Sequence, residues 1–200
     1  MSYTERIVDA IRLAHELHAD QRRKGSGTPY LNHLLAVAAL VGEYGGDEDQ
    51  FIAAILHDAV EDQGGKPTLK RIRTQFGPAV ADLVWECSDS HTEPRPPWQM
   101  RKDQHIAHVK TSSPELRLII AADKLHNAQS ILRDLRQHGP DVWKRFQGGR
   151  KGMLWYLESM MAALQQGWTH PILDELAMIL HELKVQDPAP KEKPSEALTP

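Results

Sequence analysis

Residues 47–62 read Asp47-Glu48-Asp49-Gln50-Phe51-Ile52-Ala53-Ala54-Ile55-Leu56-His57-Asp58-Ala59-Val60-Glu61-Asp62, and this stretch decides the fold. Three acids stand where the positive end of a helix favours them. The helix they open, residues 51 to about 62, is apolar on nearly every face of its first half. A helix of that kind belongs at the centre of a core. Yet it carries an imidazole, His57, and the carboxylates of Asp58, Glu61 and Asp62. Burying those groups without partners costs several kcal/mol, and a cation supplies the missing compensation. Helical spacing keeps the set coherent. Glu61 lies four residues after His57 and three after Asp58, and Asp62 lies four after Asp58, so the polar groups converge on one edge.

The same anomaly recurs downstream. Leu118-Ile119-Ile120-Ala121-Ala122-Asp123-Lys124-Leu125-His126-Asn127 again places a carboxylate inside an apolar helical run, with Asn127 one turn beyond Asp123 on the same face. His33, at the edge of an earlier helix, offers a further imidazole. His33, His57, Asp58 and Asp123 make a mixed nitrogen and oxygen donor set suited to Mn²⁺, Fe²⁺ or Co²⁺, and to Zn²⁺ less exclusively than a thiolate site. A lone His-Asp pair carries little weight, and an isolated Asp in an apolar helix reads equally well as a buried ion pair. Three such anomalies in helices able to pack together carry much more.

The rest of the chain is helix after helix. Thr4 caps a first helix with Ile7, Ile11, Ala14 and Leu17 on one stripe. The basic, glycine-rich run Arg22-Arg23-Lys24-Gly25-Ser26-Gly27-Thr28-Pro29 breaks the pattern, and a second helix runs from about residue 30 to Gly45-Gly46. Gly64-Gly65 and Pro67 end the central helix, and Thr68 caps a short helix to Phe76. Another helix follows Gly77-Pro78 and reaches about Cys87. Residues 88–99 read as a long loop. Ser113-Pro114-Glu115 opens a helix that runs to about residue 136, where Gly139-Pro140 stops it. Two more helical stretches lie near residues 143–166 and 171–185. No segment alternates like a strand, so the expectation is an all-α bundle over residues 1–186, with a disordered tail over 187–200 where Pro, Lys, Glu, Ser and Ala dominate.

Composition narrows the chemistry. Two hundred residues, 40% of them hydrophobic, suffice for one sizeable core. No apolar run approaches the roughly 20 residues of a membrane span, and the first residues carry no basic and then apolar leader. The single cysteine, Cys87, excludes an internal disulfide and fits a reducing, cytoplasmic setting. A net charge of −3 argues against a nucleic-acid polymer as partner and leaves small phosphorylated ligands open. Nothing in the sequence reads out an oligomeric state. Eleven histidines are too many for one site, and His15, His18, His91, His105, His108, His138, His170 and His181 have no identifiable partner.

The order His33, then His57-Asp58, then Asp123 is the H…HD…D signature, and on it the chain is identified as a member of the HD superfamily. More narrowly it resembles the hydrolase domain of the RelA/SpoT homologues and its stand-alone form, the small alarmone hydrolases. The matching residues are Arg23-Lys24, Gly27-Thr28-Pro29-Tyr30-Leu31-Asn32-His33, the run from Ala53 to Asp62, Phe76-Gly77, and Ala122-Asp123-Lys124-Leu125-His126-Asn127. The resemblance implies removal of the 3′-pyrophosphate of guanosine tetra- or pentaphosphate with Mn²⁺ held by the four ligands. It implies that Glu61 and Asp62 handle the attacking water, Glu61 most directly, with Asn127 helping to position it. Arg23 and Lys24 would pair with substrate phosphates, Arg150 is the candidate for a later substrate arginine, and Tyr156 stands near it. His126 would pack beside the metal without binding it. No room remains for a synthetase domain, so the implied activity only degrades the signal.

Three positions depart from the pattern. Leu34 replaces the proline that often follows the first histidine, and Gln63 stands where threonine is usual. Arg95-Pro96-Pro97-Trp98 occupies the place of a substrate lysine. The rival readings are an HD phosphohydrolase of another small nucleotide or pyrophosphorylated metabolite, and a non-catalytic nucleotide-binding module. Intact His33, His57, Asp58, Glu61, Asp62 and Asn127 argue against the last.

Overall fold

The structure is a computed structural model that describes residues 3–90, 92 and 94–187. Among these residues the regular elements are all helical: α1 (Arg6–Leu17), α2 (Leu31–Glu43), α3 (Glu48–Leu56), α4 (Ala59–Asp62), α5 (Gly65–Phe76), α6 (Pro78–Cys87), α7 (Trp98–Val109), α8 (Pro114–His138), a 3-10 stretch (Gly139–Arg145), α9 (Gly149–Leu164) and α10 (Pro171–Gln186). None is long and apolar enough to cross a membrane. The expected tail falls outside the described residues from position 188 onward. Residue 187 is anchored, because Asp187 accepts from Trp143 Nε1 at 2.5 Å and from Arg150.

Two helices make the centre. α3 starts on a capping box, in which Asp47 accepts from the Gln50 backbone and Gln50 Oε1 accepts from the Asp47 backbone. Every residue from Ile52 to Leu56 is buried, against α1, α2, α6 and α8. α8, capped by Ser113, is buried at every position from Leu116 to Leu125, including Asp123 and Lys124. It packs on α2, α3, α6, α9 and α10. With both cores crossing at one place, the polar side chains at the end of α3 and in the middle of α8 are brought together.

The helix expected over 51–62 is interrupted. It ends at Leu56, and the four-residue α4 restarts at Ala59, so the His57-Asp58 pair sits at the hinge. The Ala54 carbonyl, which an unbroken helix offers to Asp58, accepts from Nδ1 of His57 at 2.8 Å. Asp58 has φ −96° and ψ −1°, the sparsely used bridge region. α5 starts earlier than expected, at Gly65. Pro67 falls within its first turn, where no backbone N–H is required, and Thr68 donates to the Gln63 carbonyl rather than capping. α7 is an element that the sequence reading left inside and beyond the 88–99 loop.

Candidate active site

Four side chains from three elements meet where α2, the α3–α4 hinge and α8 cross. His33 Nε2 is 3.2 Å from Asp123 Oδ1 and 3.8 Å from Asp58 Oδ2. His57 Nε2 is 3.1 Å from Asp58 Oδ2 and 3.8 Å from Asp123 Oδ1. The ligand atoms of His33, His57 and Asp58 all lie within 4.8 Å of one another. Both imidazoles are turned the same way. His57 Nδ1–H donates to Ala54, and Nδ1 of His33 pairs with Nδ1 of His126 at 2.7 Å. Each arrangement engages Nδ1 and leaves Nε2 facing the carboxylates. His57 Nε2 is buried and makes no hydrogen bond, so the cluster holds an orphaned donor atom of the kind that a divalent cation satisfies.

The electrostatics point the same way. Burial resists charging His57, but the adjacent Asp58 and Asp123 carboxylates overcome it and push the imidazole up to about 9. The carboxylates draw in positive charge, a proton or a metal ion in its place. Burial pushes His33 down, and it pushes His126 down to about 4 with help from His33 and Arg23, so His126 is a neutral partner. Around this cluster the Tyr30 hydroxyl donates to Asp58 Oδ2 at 2.5 Å and Lys124 Nζ donates to Asp123 Oδ2 at 2.6 Å. A chain of bonds runs from Arg23 to Asn127 (2.9 Å) and from Asn127 Nδ2 to Asp123 Oδ1 (2.6 Å).

The cluster opens beside a cavity of about 640 Å³. Arg23, Lys24, Asp62, Asn127 and Tyr156 line it together with His33 and His126, so residues singled out from distant parts of the sequence share one cavity. The loop that carries Arg23 is closed by hydrogen bonds from Arg23 N to Thr28 O and from Gly27 N to Arg23 O. Gly25 takes a φ of 103°, which a side chain rarely adopts. Glu61 is absent from that lining, though its carboxylate lies near enough to Asp58 to feel its charge. It accepts from the Asp89 backbone at 3.1 Å, and Arg95 lies against its carboxylate and carbonyl. Burial, then the Asp89 and Asp58 charges, push the Glu61 carboxyl up to about 7. Arg150 stands apart from the cavity wall, with its Nε 2.8 Å from Asp187 Oδ2.

The sequence reading missed several cavity residues. Lys102, Lys124, Arg133 and Trp98 all face the cavity. Lys102 donates to Asp89 at 2.6 Å, and its ammonium lies 4.6 Å from the centre of the Tyr156 ring. Some histidines read as unpartnered have partners. His18 pairs with Gln21, buried His105 with the Tyr156 hydroxyl, and His108 with Glu86, while His170 caps α10. His91 lies outside the described residues.

Comparison with known proteins turns this geometry into a lineage. The family model described as HD domain matches residues 10–154. The chain belongs to the HD-domain family. This HD domain is 39% identical over 140 residues to the guanosine-3′,5′-bis(diphosphate) 3′-pyrophosphohydrolase MESH1 of Xenopus tropicalis, covering 68% of this chain and 73% of that protein. It is 37% identical over 145 residues to the protein of the same name in Homo sapiens, covering 71% and 76%. Among solved structures, a metazoan ortholog of SpoT that hydrolyses ppGpp superposes with a TM-score of 0.76 at 30% identity, covering 92% of this chain and 98% of that one. A protein of Listeria monocytogenes EGD-e superposes at 0.67 with 35% identity, covering 76% and 97%.

Proposed function

We propose that this HD domain is a guanosine-3′,5′-bis(diphosphate) 3′-pyrophosphohydrolase that works with Mn²⁺ held by His33, His57, Asp58 and Asp123. The observation that carries the reading is the pair of imidazole Nε2 atoms, each within 3.8 Å of both the Asp58 and Asp123 carboxylates, at a cavity with several cations in its wall. The activity named for its relatives agrees with it. Bound there, a divalent cation supplies Lewis acidity toward a phosphate oxygen and acidifies water.

The protein's own groups have distinct work. Glu61 accepts the proton of the attacking water, Asp62 and Asn127 hold that water from the cavity side, and Arg23 and Lys24 take substrate phosphates. The oxygen of water joins the inner phosphorus of the 3′-diphosphate as the bond to the ribose 3′-oxygen breaks. That oxygen takes up a proton, and the products are pyrophosphate and GDP, or GTP from the pentaphosphate. Tyr156 reads best as part of the cavity wall, and Arg150, engaged by Asp187, is given no contact with substrate.

Manganese-loaded protein incubated with guanosine tetraphosphate releases pyrophosphate in stoichiometric amount with GDP. A nucleotide panel in which another compound turns over while the alarmone stays intact refutes the assignment. His126→Ala leaves all four ligands in place but removes the acceptor that fixes the His33 tautomer. It weakens Mn²⁺ binding by roughly 10- to 100-fold, as read by metal titration. Unchanged affinity would show that His33 needs no such orientation.

A further inference from the structure

The cavity wall changes character along its length. At the metal cluster it is charged. Lys124 Nζ reaches both Asp123 and the face of Tyr156, 5.4 Å from the ring centre. Tyr156 abuts Trp98, with ring centroids 6.5 Å apart and planes at 68°. The lining also includes the apolar side chains of Phe146, Met153 and Leu157. The sequence of groups from cluster to far wall is therefore carboxylates, ammonium, phenol, indole.

Trp98 is half-buried, and its indole is held from behind. Its edge meets Trp155 at 6.1 Å between centroids. A Cβ added to Gly148 would lie 2.7 Å from Cη2 of the indole, and one added to Gly152 would lie 3.1 Å from the same atom. Gly148 has a φ of −81°, a value any residue adopts, and Gly152 is helical. The backbone does not require glycine at either place. The indole does, because the two form a flat shelf one turn apart at the start of α9. A tryptophan seated this firmly offers a ring face at little further loss of side-chain freedom.

We propose that Trp98 is the base-binding residue of this cavity. Its indole stacks the heterocyclic base of a purine nucleotide whose phosphates lie toward Lys102 and Lys124. The inference rests on the cavity being the substrate site proposed above, and it adds what holds the base. The order of groups along the wall matches the order phosphate, sugar, base in such a ligand. Base–aromatic stacking tolerates many bases and rewards a flat one.

The test is binding rather than turnover. GDP, and separately inorganic pyrophosphate, are titrated into metal-loaded full-length protein while tryptophan fluorescence and heat are followed. GDP quenches the wild type, and Trp98→Phe loses most of that quench while keeping GDP affinity within about threefold, because phenyl still stacks. Trp98→Ala weakens GDP binding about tenfold, with pyrophosphate affinity held within twofold. Gly152→Ala, whose added carbon would lie 3.1 Å from the indole and shift it by a few tenths of an ångström, weakens GDP binding by a lesser factor.

A full quench in Trp98→Phe, or unchanged GDP affinity in both Trp98→Ala and Gly152→Ala, overturns the proposal. So does an equal loss of pyrophosphate binding, which marks a purely structural role. Should Trp98→Ala fail to fold, Trp98→Phe and Gly152→Ala decide it. If these expectations hold while guanosine tetraphosphate survives intact, the stacking role stands and the substrate assignment falls. Normal hydrolysis with no change in GDP binding does the reverse.

Discussion

Asp58→Asn loses turnover by about three orders of magnitude or more and no longer responds to manganese. The substitution preserves the shape of a side chain that sits at the hinge between α3 and α4, so the fold has little reason to change. It removes one of two carboxylates whose charge the two imidazoles share at 3.1–3.8 Å. Tyr30 still has an oxygen to donate to. What disappears is the negative charge that offsets a divalent cation. In the wild type, Mn²⁺ at a hundred times its dissociation constant stabilises the folded state by about 2.7 kcal/mol. For a domain of this size that raises Tm by roughly 5–10 °C. The variant shows a rise of less than about 2 °C, measured side by side by differential scanning fluorimetry. A variant within tenfold of wild-type kcat, with a normal thermal response, would remove Asp58 from the ligand set.

That cluster was legible because it breaks a rule at every member. Asp58 and Asp123 stand inside apolar helical runs, where a carboxylate needs a reason to be. The structure places these runs, with His33, at one crossing of buried helices. Helical spacing also predicted that Glu61 and Asp62 share an edge. In the structure Asp62 lines the cavity and Glu61 accepts from the Asp89 backbone, while Arg95 lies against both carboxylates. Periodicity assumes an unbroken helix, and nothing in the letters announces that the His57 ring will take the Ala54 carbonyl.

The basic and aromatic wall was less legible. α7 reads Trp-Gln-Met-Arg-Lys-Asp-Gln-His-Ile-Ala-His-Val, with only Ile106 and Val109 as buried apolar positions beside a buried His105. Its helicity comes from packing on α9 rather than from a stripe of its own. Without that helix, Trp98 and Lys102 look like loop residues. The ion pair of Arg150 was hidden for a related reason. Its partner, Asp187, lies 37 residues away in sequence, and charge patterning does not reveal which acid will arrive. Paired cations and unpaired ones look alike until the fold is known.

The second large effect is at the base. Glu61→Gln lowers kcat by about 10²- to 10⁴-fold, the range of a positioned proton acceptor. Manganese binding survives, because Glu61 is absent from the four-ligand cluster. Glutamine keeps one oxygen for the Asp89 backbone, and Arg95 retains the Glu61 backbone carbonyl, so the packing behind the site persists. The pH profile separates this role from a structural one. Glu61 must be deprotonated to act, and burial, with Asp89 and Asp58 nearby, pushes its carboxyl up to about 7. Activity is therefore present above the midpoint and falls about tenfold per pH unit below it. A divalent cation beside Asp58 pulls that midpoint lower, so the metal-loaded limb lies at or below 7. In Glu61→Gln the limb disappears and the residual rate is flat across it. Asp62→Asn, which faces the cavity and pairs with Gln21, costs less and keeps the limb. If Asp62→Asn loses the limb and Glu61→Gln retains it, the proton goes to Asp62 and the two carboxylates exchange roles.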